Sequence, residues 1–286
     1  MRDLQPGRDR TGQPSARRAG WAELLPRVLS AVVMAVVAVG TAWAGGPVFD
    51  LFWFLAAMAV LWEWHGLVGT PRRAAASVLG GVAVAVATVL AGRGYVGEAA
   101  LALLTGSALT AAAASHRRGM ASGAPLYAGA LALAVSLLRH SASDGFTVLI
   151  WLFAVVWGTD TMAFFGGRAI GGPKLAPRLS PSKTWSGFAV GVVSGALLGL
   201  LVAPRSGCPA CVAAAGLVGG ALAQAGDLFE SSLKRRFGAK DAGSLIPGHG
   251  GVMDRLDGFI AASVFAAAVG LWRFGPVEVG AGLLKW

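Results

Sequence analysis

The sequence predicts an all-α, polytopic integral membrane protein. Its 286 residues are 55% hydrophobic and 13% charged, whereas roughly a quarter of the residues are charged in a soluble domain. Apolar runs of roughly 15 to 20 residues, close to the length of helix that crosses ~30 Å of hydrocarbon, recur along the chain. All but two of the polar segments between them are short. The sequence therefore predicts about nine transmembrane helices and two polar cytoplasmic loops.

The predicted spans divide the chain into four parts. Residues 1–27 begin with a stretch rich in Arg, Gly and Pro, and they predict a disordered, basic cytoplasmic tail. Residues 28–145 carry few polar side chains and predict a transmembrane scaffold. Residues 146–274 contain both polar loops and predict a transmembrane catalytic domain, and residues 275–286 predict a short C-terminal tail. The predicted spans are 28–44, 48–68, 75–91, 99–115, 124–138, 146–165, 185–203, 212–225 and 259–274.

Basic residues predict the orientation in the membrane. If the N-terminus is cytoplasmic, all but five of the 24 Lys and Arg residues fall in cytoplasmic segments. The positive-inside rule then places both polar loops on the cytoplasmic side. The net charge is +10, but the basic residues form no patch interleaved with aromatic residues, so we expect no nucleic-acid partner. The five exceptions are Arg93, Arg139, Arg205, Arg273 and Lys285.

Two cysteines lie three positions apart in the short outer loop between the seventh and eighth spans. Cys208 and Cys211 form a CxxC without a second pair or a nearby His, so a zinc site is not expected. An incidental pair and a local disulfide, formed in an oxidising compartment, both remain open. Neither alternative gives these cysteines a part in the chemistry.

Glycines repeat every four residues along the seventh span, at Gly187, Gly191, Gly195 and Gly199. This spacing makes one face of the helix nearly flat and favours close packing against another helix. The partner helix could belong to the same chain or to a second copy. The repeat is therefore a hint of a homodimer.

Two carboxylates interrupt otherwise apolar spans. Asp160 lies where the sixth span meets the cytoplasmic headgroups, and an isolated carboxylate there requires a cation or a hydrogen-bond partner. Glu63 lies in the second span, and we expect it to pair with another helix rather than to act in catalysis. A transporter with both carboxylates along its pathway is an alternative from a different functional class.

The first polar loop contains a candidate phosphate-binding segment. It lacks the GxxxxGK[ST] spacing of a P-loop. Ser180 is a plausible N-cap with Pro181 at the first helical position, which would leave the N–H groups of Ser182, Lys183 and Thr184 free to bind an anion. Lys183 adds a full positive charge. The alternative is a capped helix with a lysine that extends to the headgroups.

The second polar loop, residues 226–258, concentrates the remaining chemistry. Asp227 follows the eighth span, and Asp254 and Asp257 would share a face at the start of the ninth. Gathered carboxylates need a counterion, and Mg²⁺ takes one or two carboxylates together with substrate phosphates. We expect Mg²⁺ on these three residues and leave a second cation open. Further candidate residues of the loop are Lys234, Arg235, Lys240, Asp241, His249, Gly250, Gly251 and Arg255.

At these residues the sequence resembles the phosphatidate cytidylyltransferase (CDP-diacylglycerol synthase) family. The matching segments are the serine followed by Lys234-Arg235, Lys240-Asp241, the PGHGG turn 247–251, Asp254-Arg255-Leu256-Asp257, residues 160–166 and residues 179–185. Ser231 and Ser232 are both candidates for the family's serine. Phe164 and Ser186 depart from the pattern, which usually has Tyr and Glu at these positions.

The resemblance implies transfer of a cytidylyl group from CTP to phosphatidic acid at the surface of a lipid bilayer, in a bacterial inner membrane with the site facing the cytoplasm. It implies that Asp227 and Asp254 hold the divalent metal with support from Asp257. It implies that Lys183, Lys234 and Arg235 bind phosphates. A CTP-dependent polyprenol or dolichol kinase is the alternative within enzymes, because it also brings a nucleotide to a membrane lipid.

Overall fold

The computed structural model describes residues 16–286 except for 115, 204–205 and 247–249. Helices dominate this part of the chain, and a short antiparallel hairpin of two strands joins α7 to α8. The helices are α1 Ala16–Ala44, α2 Gly46–Val68, α3 Arg73–Gly92, α4 Val96–Ala113, α5 Arg118–Ala121, α6 Gly123–Arg139, α7 Gly145–Ile170, α8 Trp185–Val202, α9 Pro209–Arg236, α10 Met253–Phe274 and α11 Val279–Leu284. The strands are β1 Lys174–Ala176 and β2 Ser180–Thr184.

The membrane-spanning character predicted from the sequence is confirmed. Within the described ranges, 8 segments are long and apolar enough to cross a membrane, with α5 and α6 together forming one of them, Arg118–Arg139. The apolar part of α1, Val28–Ala44, is shorter. Every predicted span therefore corresponds to a helix, and the chain is an all-α polytopic membrane protein.

The N-terminal tail was predicted too long. Helix α1 begins at Ala16, so residues 16–27 are helical where the sequence predicted disorder, and residues 1–15 lie outside the described residues. Ala and Leu are strong helix formers, and they recur between Ala16 and Leu25. Hydropathy marks only the apolar part of a helix and therefore misses this polar extension.

Polar extensions of helices also place most charged residues of the predicted second polar loop on helices. Helix α9 continues to Arg236 instead of ending at 225, and α10 begins at Met253 instead of 259. About half of the stretch 226–258 is therefore helical, and the connection between the two helices is 237–252, which we call the catalytic loop. Leu, Glu, Lys and Arg retain much of their side-chain freedom in a helix, so the polar turns extend it beyond the apolar run.

The glycine repeat packs α8 against α7 of the same chain. A Cβ atom at Gly191 would lie 2.6 Å from the carbonyl oxygen of Thr159, and one at Gly187 would lie 2.7 Å from that of Ala163. Close approach of the two backbones thus requires glycine at these positions. Because the partner helix is intramolecular, the repeat no longer supports a homodimer. The homodimer stays a prediction that this packing does not test.

Aromatic rings connect the N-terminal half to the C-terminal half. The Trp53 ring of α2 stacks on Phe259 of α10 at a centroid distance of 5.1 Å, and it also faces Phe153 of α7 at 6.4 Å. Such pairs add to the stabilisation that burial provides. The predicted scaffold is therefore part of the same core as the predicted catalytic domain.

One end of the fold is closed by the C-terminus and by a disulfide. Cys208 and Cys211 are bonded at 2.08 Å at the start of α9, so the structure selects the disulfide from the two alternatives left open. Residues 275–286 are more ordered than the predicted tail, because α11 is buried and the Trp286 N–H donates to the carbonyl of Ser206 at 3.0 Å. The first charged residue of α9, Asp227, follows Cys211 by 16 positions, so about 24 Å of helix, at ~1.5 Å per residue, separates it from the disulfide.

Candidate active site

Helix ends and the hairpin enclose one large cavity at the end of the fold opposite the disulfide. Its volume is about 1660 Å³. The end of α7, strand β2, the last turns of α9 and the first turns of α10 supply its polar wall. The charged residues in that wall include Asp160, Lys183, Asp227, Lys234, Asp241, Asp254, Arg255 and Asp257.

The rest of the cavity wall is apolar. Helices α1 and α2 contribute small and large hydrophobic side chains, and Phe153 and Trp157 of α7 continue the same surface. The apolar lining from α1 and α2 comprises Ala31, Val32, Met34, Ala35, Ala38, Phe52, Trp53, Leu55, Ala56 and Ala59. One continuous space therefore offers charged groups at one side and hydrocarbon at the other, which suits an amphiphile.

The predicted anion site at a helix N-terminus is wrong in its local structure. Ser180 begins strand β2, which pairs antiparallel with β1 and places Lys174 opposite Thr184. Helix α8 begins later, at Trp185, and its N-cap is Thr184, whose Oγ1 accepts from the Gly187 N–H at 3.1 Å. Pairing with a strand outside the segment overrode the local capping signal. Ser180 is not among the described residues that line the cavity.

Lys183 nevertheless enters the site, as predicted, through a side-chain network. Its Nζ lies 2.6 Å from Oδ2 of Asp227 and donates to Oε1 of Gln224 at 2.9 Å. The Gln224 amide in turn donates to Oδ1 of Asp160 at 3.0 Å. Asp160 thus has the hydrogen-bond partner that its position required.

Sequence reasoning missed Gln224. Its side chain is buried, and it lies one helical turn before Asp227 in the otherwise apolar run of α9. Buried amides are normally hydrogen-bonded, so a lone Gln in that run, on the helical face of Asp227, was the available signal. It connects Lys183 and Asp160, which come from different elements.

A second charged group joins α9 to α10 and the catalytic loop. Lys234 Nζ lies 2.6 Å from Oδ1 of Asp254 and 3.2 Å from Oε2 of Glu230. Asp254 Oδ2 also accepts from the N–H groups of Ala242 at 3.0 Å and Gly251 at 2.8 Å. Asp254 therefore holds the catalytic loop on α10. Glu230, which is 1% exposed, is a second site residue that the sequence-based candidates left out.

The donor set fits a cation shared with a substrate better than a cage of protein ligands. Among the described residues, no group of three or more His, Cys, Asp or Glu is arranged to hold a metal. The predicted cluster of Asp227, Asp254 and Asp257 is not assembled as one, because Lys234 and loop amides engage both oxygens of Asp254. Asp227 and Asp257 line the same cavity as Asp160. Mg²⁺ needs only one or two carboxylates when phosphates complete its shell.

The remaining predicted residues divide into those at the cavity and those outside it. Ser182, Thr184, Asp241 and Arg255 line it, whereas Arg235 and Lys240 are exposed and are not among its described lining residues.

The glycines of the predicted PGHGG turn shape the backbone of the catalytic loop. Gly250 has a positive φ of 81° and pairs with Ile246 across the loop, and the Gly251 N–H binds Asp254. His249 lies outside the described residues.

The structure also places the two candidate serines and one departure from the family pattern. Ser231 Oγ donates to Asp227 Oδ1 at 3.3 Å, whereas Ser232 Oγ donates to the Phe229 carbonyl of its own helix. Ser231 is therefore the serine at the site. Ser186 Oγ donates to the Gly171 carbonyl and contacts Thr184 Oγ1, so it closes the base of the hairpin.

Paired lysines and carboxylates beside an apolar surface give this membrane protein a site whose chemistry suits a polyanion together with an amphiphile. The family model described as the cytidylyltransferase family matches residues 25–272. The chain belongs to this family. The resemblance found from the motifs is thus confirmed.

Curated relatives point to the same family. A Brucella abortus biovar 1 (strain 9-941) protein named phosphatidate cytidylyltransferase is 41% identical over 265 residues, which cover 89% of this chain and 94% of that protein. A Brucella suis biovar 1 protein of the same name matches with the same identity and coverage. A Haemophilus influenzae protein of that name is 39% identical over 150 residues, or 49% of this chain and 51% of that protein. The similarity to the Brucella proteins extends over nearly the whole length of both chains.

Proposed function

We propose that this protein is a phosphatidate cytidylyltransferase, which converts CTP and phosphatidic acid into CDP-diacylglycerol and pyrophosphate. The observation that carries the proposal is the cavity whose charged wall holds Lys183, Asp227, Lys234 and Asp254 and whose opposite wall is apolar. A lipid phosphate and a nucleotide triphosphate both need cationic partners, and only the lipid needs the apolar wall. The nearly full-length similarity to the Brucella relatives supports the same substrates.

The proposed reaction needs no nucleophile from the protein. An oxygen of the lipid phosphate attacks the α-phosphorus of CTP and forms a new P–O bond. The bond from the α-phosphorus to the oxygen that bridges to the β-phosphate breaks, and pyrophosphate leaves with that oxygen. Positioning and charge neutralisation supply the catalysis in such transfers.

The residues of this chain divide that work between binding and orientation. Lys183 and Lys234 would neutralise phosphate oxygens, and both are largely buried, which strengthens their interactions. Asp227 and Asp257 would hold Mg²⁺, which would neutralise charge on the triphosphate when bound. Asp254 would keep Lys234 and the catalytic loop in register, through the hydrogen bonds described above.

Each lysine is paired with a carboxylate in the structure. The Lys183 and Asp227 charges cancel, as do those of Lys234 and Asp254. Burying either charge alone would be costly, so each charge is accommodated by its partner. We infer that the nucleotide and the cation bind as a neutralising combination, in which both lysines would contact phosphate oxygens and Asp227 and Asp257 would hold Mg²⁺.

We propose that the cavity faces the cytoplasm of a bacterial inner membrane. The positive-inside rule supports this orientation, because Lys174 lines the cavity and Arg117 lies over the ring of Phe237 in the catalytic loop at 5.0 Å. Further basic residues stand beside Arg117 and at the start of α3, namely Arg118, Arg72 and Arg73. CTP would then arrive from the cytoplasm while the acyl chains of phosphatidic acid stay in the apolar part of the cavity.

Purified protein in detergent with a panel of nucleotides and lipids tests the proposal. With Mg²⁺, CTP and phosphatidic acid should together give CDP-diacylglycerol and one pyrophosphate per lipid. ATP or UTP should give much less product, and EDTA should stop the reaction. Phosphorylation of a polyprenol with release of CDP would support the kinase alternative instead, and no turnover with phosphatidic acid would contradict the proposal.

A further inference from the structure

Glu63 lies near the C-terminal end of α2, in the half of the chain that the sequence predicted to be scaffold. Its side chain is 2% exposed. Its Oε1 accepts from the Val252 N–H at 3.0 Å and its Oε2 from the Met253 N–H at 2.8 Å. The expectation that Glu63 pairs with another helix is therefore correct, and the partner is the N-terminus of α10.

Helix α10 needs this partner because its own N-cap cannot supply one. The first N–H groups of a helix have no acceptor within it, and Ser, Thr, Asp or Asn normally provides one at the N-cap. The N-cap here is Val252, which makes no side-chain cap hydrogen bond. A carboxylate from 189 residues upstream takes its place. Its negative charge also interacts favourably with the dipole of α10.

The backbone of the catalytic loop closes around the Glu63 carboxylate. A Cβ atom at Gly251 would lie 2.6 Å from Glu63 Oε2, and one at Gly243 would lie 2.7 Å from Glu63 Cγ and closer still to Oε1. Neither position has room for a side chain while Glu63 keeps its place. Both the middle of the loop and its last turn therefore pack on this carboxylate.

Two carboxylates therefore hold the segment in which the loop enters α10. Asp254 binds the N–H groups of Ala242 and Gly251, and Glu63 binds those of Val252 and Met253. Asp254 directly follows Met253 in the chain. A change at Glu63 would therefore shift the backbone that carries Asp254 and, through the 2.6 Å ion pair, the ammonium group of Lys234.

We propose that Glu63 is a positioning residue of the reaction: it fixes the catalytic loop and the first turn of α10, and so places Asp254 and Lys234 against the nucleotide. This inference rests on the proposed function for its kinetic part. Its structural part, an ordered loop that depends on Glu63, stands on the hydrogen bonds alone. The contact links the N-terminal half of the chain to a site whose charged wall the C-terminal half supplies.

The test compares Glu63→Gln and Gly243→Ala with two matched controls. Glu63→Gln keeps the size of the side chain but replaces one acceptor oxygen by an NH₂ group that faces a backbone donor. Gly243→Ala keeps the Glu63 carboxylate chemically unchanged but displaces it sterically. The controls are Glu98→Gln, an exposed carboxylate on α4, and Gly119→Ala, where a Cβ atom would meet nothing within 4 Å.

Two readouts separate this inference from the proposed function. Trypsin cleavage after Lys240, which is exposed in the catalytic loop, reports loop order without any turnover. We expect both test variants to be cut about 10-fold faster than the controls, because opening of the loop becomes easier. We also expect kcat about 100-fold lower, since small misplacements near reacting groups have effects of that size. Glu63→Asp, which retains both acceptor oxygens, should recover part of the kcat.

The outcomes are distinct. Faster cleavage together with reduced kcat supports the positioning role, and either variant suffices if the other does not fold. Unchanged cleavage after Lys240 in a folded test variant overturns the inference. Unchanged kcat per folded molecule, with only the thermal midpoint lowered, also overturns it and leaves a purely structural contact. If the wild-type protein itself has no cytidylyltransferase activity and the test variants are still cleaved faster, the proposed function is wrong and the structural part of the inference stands.

Discussion

Lys183 Nζ lies 2.6 Å from Oδ2 of Asp227, an ion pair that joins the hairpin to helix α9. The sequence predicted these residues for different tasks, the lysine for phosphate and the aspartate for a metal. In the structure they neutralise each other inside the cavity, with Gln224 hydrogen-bonded to the lysine. Whatever binds here must compensate both charges, because a buried charge without a partner is costly. A magnesium nucleotide has the required combination of signs.

The first prediction concerns this pair. Asp227→Asn should abolish Mg²⁺-dependent incorporation of the CMP part of CTP into lipid while the fold is retained. Lys183→Met should raise the KM for CTP and lower kcat by about 100-fold, the typical effect of removing one electrostatic contact. Because the two residues interact directly, the double variant should be no worse than Asp227→Asn alone. Steady-state kinetics on the four proteins provides the measurement. Full activity of Asp227→Asn, or wild-type KM and kcat in Lys183→Met, would contradict the account.

A second prediction separates the roles of Asp254 and Asp241. Asp254→Asn should abolish activity, because it removes the ion pair with Lys234 and turns an NH₂ group towards loop N–H donors. Asp241→Asn should cost less, because Asp241 lines the cavity but is exposed. Activity is normalised to folded protein from size-exclusion profiles. Equal losses of activity in the two variants would show that the ion pair and the loop hydrogen bonds of Asp254 do not matter more than the exposed Asp241 carboxylate.

The third prediction tests the packing of α7 on α8. A Cβ atom at Gly195 would lie 2.6 Å from the Val155 carbonyl oxygen and would also contact Thr159. Gly195→Ala should therefore destabilise the protein by about 1–3 kcal/mol through overpacking. The control is Gly40→Ala on α1, where a Cβ atom would have nothing within 4 Å. Thermal unfolding in detergent measures both variants, and equal midpoints would show that the helices are not in close contact.

The fourth prediction tests the orientation in the membrane. The disulfide and Lys240 lie at opposite ends of the fold. With Cys208 and Cys211 replaced by Ser, a Lys240→Cys variant should react with a membrane-impermeant thiol reagent only in inside-out vesicles. The wild-type protein, in which the disulfide between Cys208 and Cys211 has been reduced, should show the reverse pattern. Its cysteines should react with the reagent from the outside. Labelling of the Lys240→Cys variant in intact spheroplasts would place the cavity on the wrong side.

The features that the sequence predicted correctly are those that depend on local pattern. Apolar runs predicted the spans, and the glycine repeat predicted close packing on the right face of α8. Lys183, Asp227, Lys234 and Asp254 were candidates because charged side chains beside apolar spans are costly without a partner. All four line one cavity, and their roles there stay predictions.

The features that the sequence did not predict depend on contacts between distant segments. Ser180 carried a valid capping signal, but pairing of β2 with β1 moved the start of α8 to Trp185. Glu63 was expected to pair with a helix, yet nothing local identifies a partner 189 residues away. Asp254 was assigned to a metal because its spacing from Asp257 favoured it. The loop amides that engage its oxygens lie outside that pattern.

The measurement that tests the central claim most directly uses CTP labelled in either the α- or the γ-phosphate, with phosphatidic acid and the purified protein. The account predicts that the α-label enters the lipid and that the γ-label leaves as pyrophosphate. Transfer of the γ-label to a lipid, with CDP as the released nucleotide, would contradict it.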